Sequence, residues 1–409
     1  MNSTDRTIIR DLAKRAAEIA AWPEQEEKRQ LWYAQNAMAA TRPLVFCSPE
    51  GSWEEILPAE ALVCESEEAR TIEYGFREMI YAQEHFADDE VCDTSYCVRP
   101  VAKSTGWGVE PEFHYSDSAR GSYVWDAPIK TRADIDRIET PTTIVDAAAT
   151  QKALEFHQDL VGDLLDVYVE SHWWWSLGLV DEWARLRGIN QMFLDMMDEP
   201  ELMHAGMRRL MEGKLAWLES LEGQGLLSLN NGRHYIGSGG WGYSRDLPGP
   251  GSAGKARLSD LWGFCEAQTM SEVGPAQHEE FVLRYQLPIL ERFGLNCYGC
   301  CEPLHLKLDM LLRQVPRLRR VSIAPWADKR MSAEKLGNRA IYSWKPNPAY
   351  VAAVTFDPEL VRRDVRETIE ICRANGCTLE IILKDTHTCN HQPERFDLWT
   401  RIAMEEATR

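Results

Sequence analysis

Two stretches of the chain end in side chains that bind metal ions. Tyr298-Gly-Cys300-Cys301-Glu302 follows a short apolar run from Leu295. Asp385-Thr-His387-Thr-Cys389 follows Leu379 to Lys384. Thiolate, imidazole and carboxylate are zinc ligands, and a catalytic zinc keeps one position open for substrate. Two buried strands that each finish in such groups read as two halves of one site. Cys300 and Cys389 are the preferred pair, with Glu302 or His387 as the third ligand. Thiolates on zinc hold their charge at neutral pH and make the metal less acidic. That suits it to deprotonating another thiol or polarising a leaving heteroatom more than to making hydroxide. If the first strand persists through Cys301, the two adjacent cysteines point to opposite faces and only one ligates. A single cysteine at a strand end is more often a small core residue, so the argument rests on convergence.

Other polar and aromatic residues stand at the ends of other predicted strands. Leu165 to Glu170 runs into Ser171-His172-Trp173-Trp174-Trp175, and Leu226 to Asn230 into Asn231, His234 and Tyr235. Arg319 to Pro325 ends at Trp326, and Ala340 to Trp344 at Lys345. Catalytic roles fall on Glu170, His172, Asn231, Lys345 and Asp385. The substrate pocket falls to Trp174, His234, Tyr235, Trp241, Tyr298, Trp326 and Trp344. Three of them have an ordinary alternative: His172 as a structural histidine, Lys345 as a solvated cation, Asp385 as a loop cap.

The elements that position these residues follow from pattern. Apolar or alanine positions recur at Ile8, Leu12, Ala16 and Ile19, which predicts a helix with Asp5 as a plausible cap. Trp22-Pro23 breaks it, and a second helix ends near Ala40, so residues 1–42 form a helical extension. Strands are predicted near 43, 91, 166, 226, 295, 319, 341 and 379. Helices are predicted at 146–162, 179–196, 199–222, 275–292, 304–315, 332–338, 358–375 and 393–407. Residues 106–128, rich in glycine and aromatics, form an inserted excursion. Eight strands alternating with helices predict parallel pairing and a closed (β/α)8 TIM barrel over 1–409 as a single domain. Chemistry in such barrels sits where strands end. The long loop Gly237 to Gly254 is of the kind that is functional or mobile.

Composition narrows the function. A net charge of −19 over 409 residues argues against nucleic-acid or anionic-membrane partners, which need a basic footprint. The 44% hydrophobic content is ample for a large core. The 11 cysteines are scattered, and the start Met-Asn-Ser-Thr-Asp-Arg lacks an apolar secretory core. No run approaches ~18 apolar residues. Reduced thiols and a cytoplasmic location are expected. Gly237-Ser-Gly-Gly240 lacks the lysine and context of a phosphate loop, and no Gly-x-Ser-x-Gly elbow is present.

Four stretches carry a family resemblance: Gly188 to His204, Gln277 to Leu290, Tyr298-Gly-Cys300-Cys-Glu302 and Thr386-His-Thr-Cys389. Through them the chain resembles the uroporphyrinogen decarboxylase superfamily, in its branch of zinc- and corrinoid-dependent methyltransferases. The resemblance covers roughly 160 to 405 well and the first 130 residues weakly. It implies a (β/α)8 barrel with extra amino-terminal helices. It also implies zinc held by a His-x-Cys and a distant cysteine, which fall on Tyr298, Cys300 and Cys389. Tyr298 departs from the histidine, so Glu302 or His387 has to substitute. The arginine-rich Gly-Arg segment of the decarboxylase is missing, which argues against tetrapyrrole decarboxylation.

The activity implied is methyl transfer between a methylated small molecule, or a thiol or folate acceptor, and methylcobalamin carried by a separate corrinoid protein. The aromatic strand ends suit an aryl methyl ether or a methylammonium group. A metal-free decarboxylase-type lyase, with Lys345, Arg233 and His172 on a small carboxylic acid, is the alternative. A barrel that only binds a ligand is a third reading. Members often pair, so a homodimer is compatible with the resemblance.

Overall fold

A computed structural model of the chain describes every residue except 119, 120 and 253. Eight parallel strands recur along it: β1 (Leu44–Cys47), β2 (Ser95–Val98), β3 (Asp166–Val169), β4 (Trp262–Cys265), β5 (Leu295–Tyr298), β6 (Leu318–Ile323), β7 (Ile341–Trp344) and β8 (Leu379–Leu383). Six of them form one sheet in the order β1-β8-β7-β6-β5-β4, and β2 pairs with β3 in a second, two-stranded sheet. Helices connect the strands of the larger sheet. The residues of β1, β4, β5, β7 and β8 are buried throughout, as parallel strands covered on both faces must be.

The architecture is α/β and compatible with a TIM-barrel-like fold, but the ladder does not close among the described residues. The reason is visible at both edges of the larger sheet. Along β1, the backbone N–H groups of Val45 and Cys47 donate to the carboxylates of Asp89 and Asp88, at 2.8 and 3.0 Å. The Asp89 N–H donates in turn to the Val45 carbonyl at 2.8 Å. Along β4, the Asn230 side chain accepts from the Trp262 N–H at 2.8 Å and donates to the Trp262 carbonyl at 3.1 Å. Edge groups that a neighbouring strand would satisfy are taken by side chains, so the edges are blunted without pairing.

Asn230 also explains the one misplaced strand. Residues 226–230 were expected to be a strand and are not one. The segment meets β4 through the Asn230 amide, after Gly225 ends the preceding helix at φ 70°. The strand the pattern missed is β4 itself. Trp262-Gly-Phe-Cys265 is four residues long, contains a glycine and lacks alternation.

The amino-terminal region follows expectation with one correction. Helices Ser3–Ala20 and Pro23–Asn36 are separated at Trp22, with Pro23 at the first helical position. The cap of the first helix is Asn2, whose side chain accepts from the Asp5 N–H. Asp5 is fully buried instead, and it accepts from the backbone of Glu65 and Ser66. Helix Glu67–His85 packs along the first helix. Within the excursion 106–128, Glu112–Tyr115 and Tyr123–Asp126 pair antiparallel; residues 119 and 120 lie outside the described residues. Among the described residues no helix is long and apolar enough to cross a membrane.

Asp89 is fully buried and also holds Arg42 through two bonds of 2.6 and 2.9 Å. Replacing it by alanine strands both the Arg42 guanidinium and the Val45 N–H. Asp89→Ala is therefore expected to destabilise the chain by on the order of 3 kcal/mol, read as a lowered denaturation midpoint.

Candidate functional site

Three donor groups converge just past β3. Glu170 is the first residue after the strand, and its buried carboxylate lies 3.0 Å from His172 Nε2 and 2.8 Å from His234 Nε2. One ligand atom from each of the three lies within 4.8 Å of the others. Burial alone would raise the Glu170 carboxyl, but hydrogen bonds from His172 and His234 hold it well below the usual carboxylate range. The Cys97 thiol of β2 donates to the same carboxylate at 2.9 Å, and burial pushes that thiol up to about 12. His234 Nδ1 is buried and has no hydrogen-bond partner among the described residues.

His234 belongs to a glycine-rich turn that is pressed into the mouth of the sheet. Ile236 N–H donates to Gly240 at 3.0 Å and Gly242 N–H to His234 at 2.9 Å, closing a narrow hairpin. Gly237, Gly239 and Gly240 all have positive φ. A Cβ on Gly239 would stand 2.5 Å from the Ile382 side chain, and one on Gly240 2.8 Å from Arg320. Only glycine permits that approach. Asn231, expected to be catalytic, serves this turn: its amide donates to the Leu247 carbonyl at 2.6 Å.

A second cluster stands after β5 and β8. Gly299, at φ 89°, ends β5, so Cys300 and Cys301 do not alternate as a continued strand would require. Their sulfurs lie 3.4 Å apart. Ser238 of the glycine turn donates to Cys300 Sγ at 3.3 Å, and Lys384 Nζ lies 3.7 Å away. Contact with the Cys301 thiol, opposed by burial and helped by the Lys384 ammonium, lowers Cys300 to about 7. Asp385 pairs with Lys384 at 2.9 Å, and its own N–H is held by Glu50; among the described residues no imidazole donates to it.

The expected zinc set, Cys300 and Cys389 with Glu302 or His387 as the third ligand, is not assembled among the described residues. Cys389 is buried against Glu55, to which its thiol donates at 3.2 Å and its backbone N–H at 2.9 Å. Cys300 and Cys389 thus have separate partners. Glu302 is fully buried and accepts from the N–H groups of Ala267 and Cys300, so it pins the turn after β5. His387 is exposed, its ring lying beside Gly51. Among the described residues, the groups of three donors close enough for one ion are Glu170-His172-His234 and the exposed Glu112-His114-Asp126.

The aromatic expectations are corrected in the same way. Tyr298 is fully buried, between His278 and Gln286, at 2.8 and 2.6 Å. Trp344 is buried under Lys329, and Trp174 packs edge-on against Trp217 and Phe293. Trp326 is 62% exposed. Trp241 packs edge-on against Phe46 inside a small core. Tyr298, Trp344 and Trp241 were taken by the core, where burial of their area stabilises most, while Trp326 is left to solvent. Tyr235 is half-buried, edge-on to Phe46. Lys345 turns back to donate to Ser343, and burial lowers its ammonium to about 7.

Beside the Glu170 cluster lies a cavity of about 720 Å³ that no residue pattern announces. It opens where β1 and β2 are not paired, under helix Glu67–His85. Cys97 and Arg233 line it, and these adjoin the cluster through Glu170 and His234.

No family model and no curated protein matches the sequence. In fold the chain is similar to a methyltransferase from Methanosarcina mazei. The similarity spans 93% of this chain and 98% of that one, with a TM-score of 0.51 and 12% identity.

Two outcomes follow from the geometry. Gly239→Ala forces a side chain onto Ile382 at positive φ, and a loss of about 1–3 kcal/mol by chemical denaturation is expected. Lys384→Met removes the cation beside Cys300. The pH midpoint for alkylation of Cys300 by a small reagent, followed by mass spectrometry, is expected to rise.

Proposed function

We propose that the chain is a metal-assisted methyltransferase whose zinc is held by Glu170, His172 and His234. The observation that carries this reading is the convergence of those three donors directly after a parallel strand, beside a cavity. A two-histidine, one-carboxylate set leaves the fourth position of a zinc ion free. The fold similarity to a methyltransferase supports the reaction class, and we read the eight parallel strands as the staves of a (β/α)8 barrel. The methyl group would pass between a small methylated molecule, or a thiol or folate acceptor, and a separate corrinoid protein. The expected thiolate ligands give way here to nitrogen and oxygen.

Zinc bound there supplies a Lewis acid for the heteroatom that carries or receives the methyl group. Glu170 stays ionised and binds as an anion. His172 and His234 present Nε2 toward it, and the glycine turn fixes His234. Cys97 orients the carboxylate from the cavity side. The carboxylic-acid lyase reading loses its binding groups. Arg233 donates to the Val91 carbonyl at 2.7 Å and faces Glu90 at 3.6 Å, Lys345 is engaged by Ser343, and His172 by Glu170.

Zinc analysis of the purified chain tests the assignment. One zinc per chain is expected in the wild type, in Cys300→Ala and in Cys389→Ala. His172→Ala and His234→Ala should lose it, with affinity falling on the order of 100-fold. Transfer of methyl from methylcobalamin, followed by cobalamin absorbance, should fall with it. Full zinc in both histidine variants refutes the site.

A further inference from the structure

Cys300 and Cys301 are adjacent residues whose sulfurs already touch, 3.4 Å apart. Neighbours on a strand point to opposite faces, so the contact is a property of the turn that Gly299 opens at φ 89°. The backbone of Cys300 is held on both sides. Its N–H donates to Glu302 and its carbonyl accepts from the Ser322 hydroxyl, each at 2.8 Å.

The two sulfurs differ in their surroundings. Cys300 meets the Ser238 hydroxyl at 3.3 Å and the Lys384 ammonium at 3.7 Å, groups that stabilise a thiolate. Cys301 lies 3.4 Å from the Asp385 carboxylate and is partly exposed. Its bond to Cys300 and its burial push the Cys301 thiol well up, so it keeps its proton. A thiolate with a protonated thiol in contact is the arrangement of an oxidisable cysteine and its resolving partner. A metal ion suits the pair poorly. Among the described residues no third donor lies close enough to both sulfurs to share one ion, and Lys384 repels a cation. Cys300 is 2% exposed, which shuts out a protein disulfide and admits only a small oxidant.

We propose that Cys300 and Cys301 form a reversible two-electron redox site that reduces a hydroperoxide and closes to a vicinal disulfide. The Cys300 thiolate attacks a peroxide oxygen, the O–O bond breaks, and the departing hydroxide takes up a proton. Cys300 is then a sulfenic acid. Cys301 passes its proton to Asp385 as its sulfur attacks Cys300 Sγ. The S–O bond breaks, and the hydroxide leaves with that proton as water. With hydrogen peroxide, two thiols and one peroxide become one disulfide and two waters. Adjacent Cα atoms stand ~3.8 Å apart, closer than disulfides usually span, so the ring is strained and a thiol reopens it readily. The inference goes beyond methyl transfer and does not depend on it.

The full chain, reduced and then treated with hydrogen peroxide, is denatured, alkylated, digested with trypsin and weighed by mass spectrometry. Residues 293–307 leave as one peptide that carries Cys297, Cys300 and Cys301. Before peroxide all three thiols are expected to alkylate. Afterwards only Cys297 should, in a peptide lighter by two hydrogens, and dithiothreitol should restore the other two. Cys301→Ser should form no disulfide and should accumulate a Cys300 sulfenic acid, trapped by dimedone at least about 10-fold above wild type. Three free thiols after peroxide, a peptide that only gains oxygen, or a disulfide that persists in Cys301→Ser overturns the proposal. The wild-type peptide decides the matter even if the variant does not fold.

Discussion

A parallel sheet that does not close must dispose of the N–H and C=O groups along its two outer strands. In this protein polar side chains do it. Asp88 and Asp89 take the N–H groups of β1, and Asn230 takes both groups of Trp262 in β4. The rest of the site follows from this constraint. Because β1 is satisfied by carboxylates, β2 need not pair with it, and the space between them becomes the cavity. Because Asn230 is anchored to β4, the residues that follow it leave the sheet as a fixed turn, which brings His234 to Glu170.

The interior of the larger sheet is polar to a degree that needs explaining. Arg320 and Glu380 form an ion pair at 2.8 Å in full burial, and Ser343, Asn36 and Cys297 complete their surroundings. Such a pair is a weak source of net stability, since both charges leave water. It does make position specific, because each partner is costly to bury without the other. The glycine turn lies directly on this pair. Its placement is therefore set by charge as well as by shape.

Much of this was legible in the chain. Most of the helices and seven of the eight strands follow from apolar periodicity and from punctuation such as Trp22-Pro23, although the helix expected at 179–196 is two, Val180–Arg187 and Ile189–Asp198, parted at Gly188. Glu170, His172 and His234 stand out as polar residues at strand ends. Their joint use was not legible, because 62 residues of sequence separate the two histidines and the contact is made by a turn without periodicity. Cys300 and Cys389 were read as partners from residue type, from their place at strand ends and from the family resemblance. Nothing in type distinguishes a thiol that meets a lysine from one that meets Glu55. Aromatic residues misled in the opposite direction: of the rings that read as pocket walls, Tyr298, Trp344 and Trp241 were claimed by the core and Trp326 was left exposed. The cavity was invisible because it arises from two strands failing to pair.

One consequence of the glycine turn concerns the two clusters it touches. It holds His234 against Glu170 at one end and Ser238 against Cys300 at the other, with Tyr235 between them. Its hairpin bonds and its fit against Ile382 and Arg320 leave it little freedom to bend within itself. The same short segment thus sets the position of one imidazole and of the hydroxyl that meets the thiol, so a single backbone conformation fixes groups in both clusters.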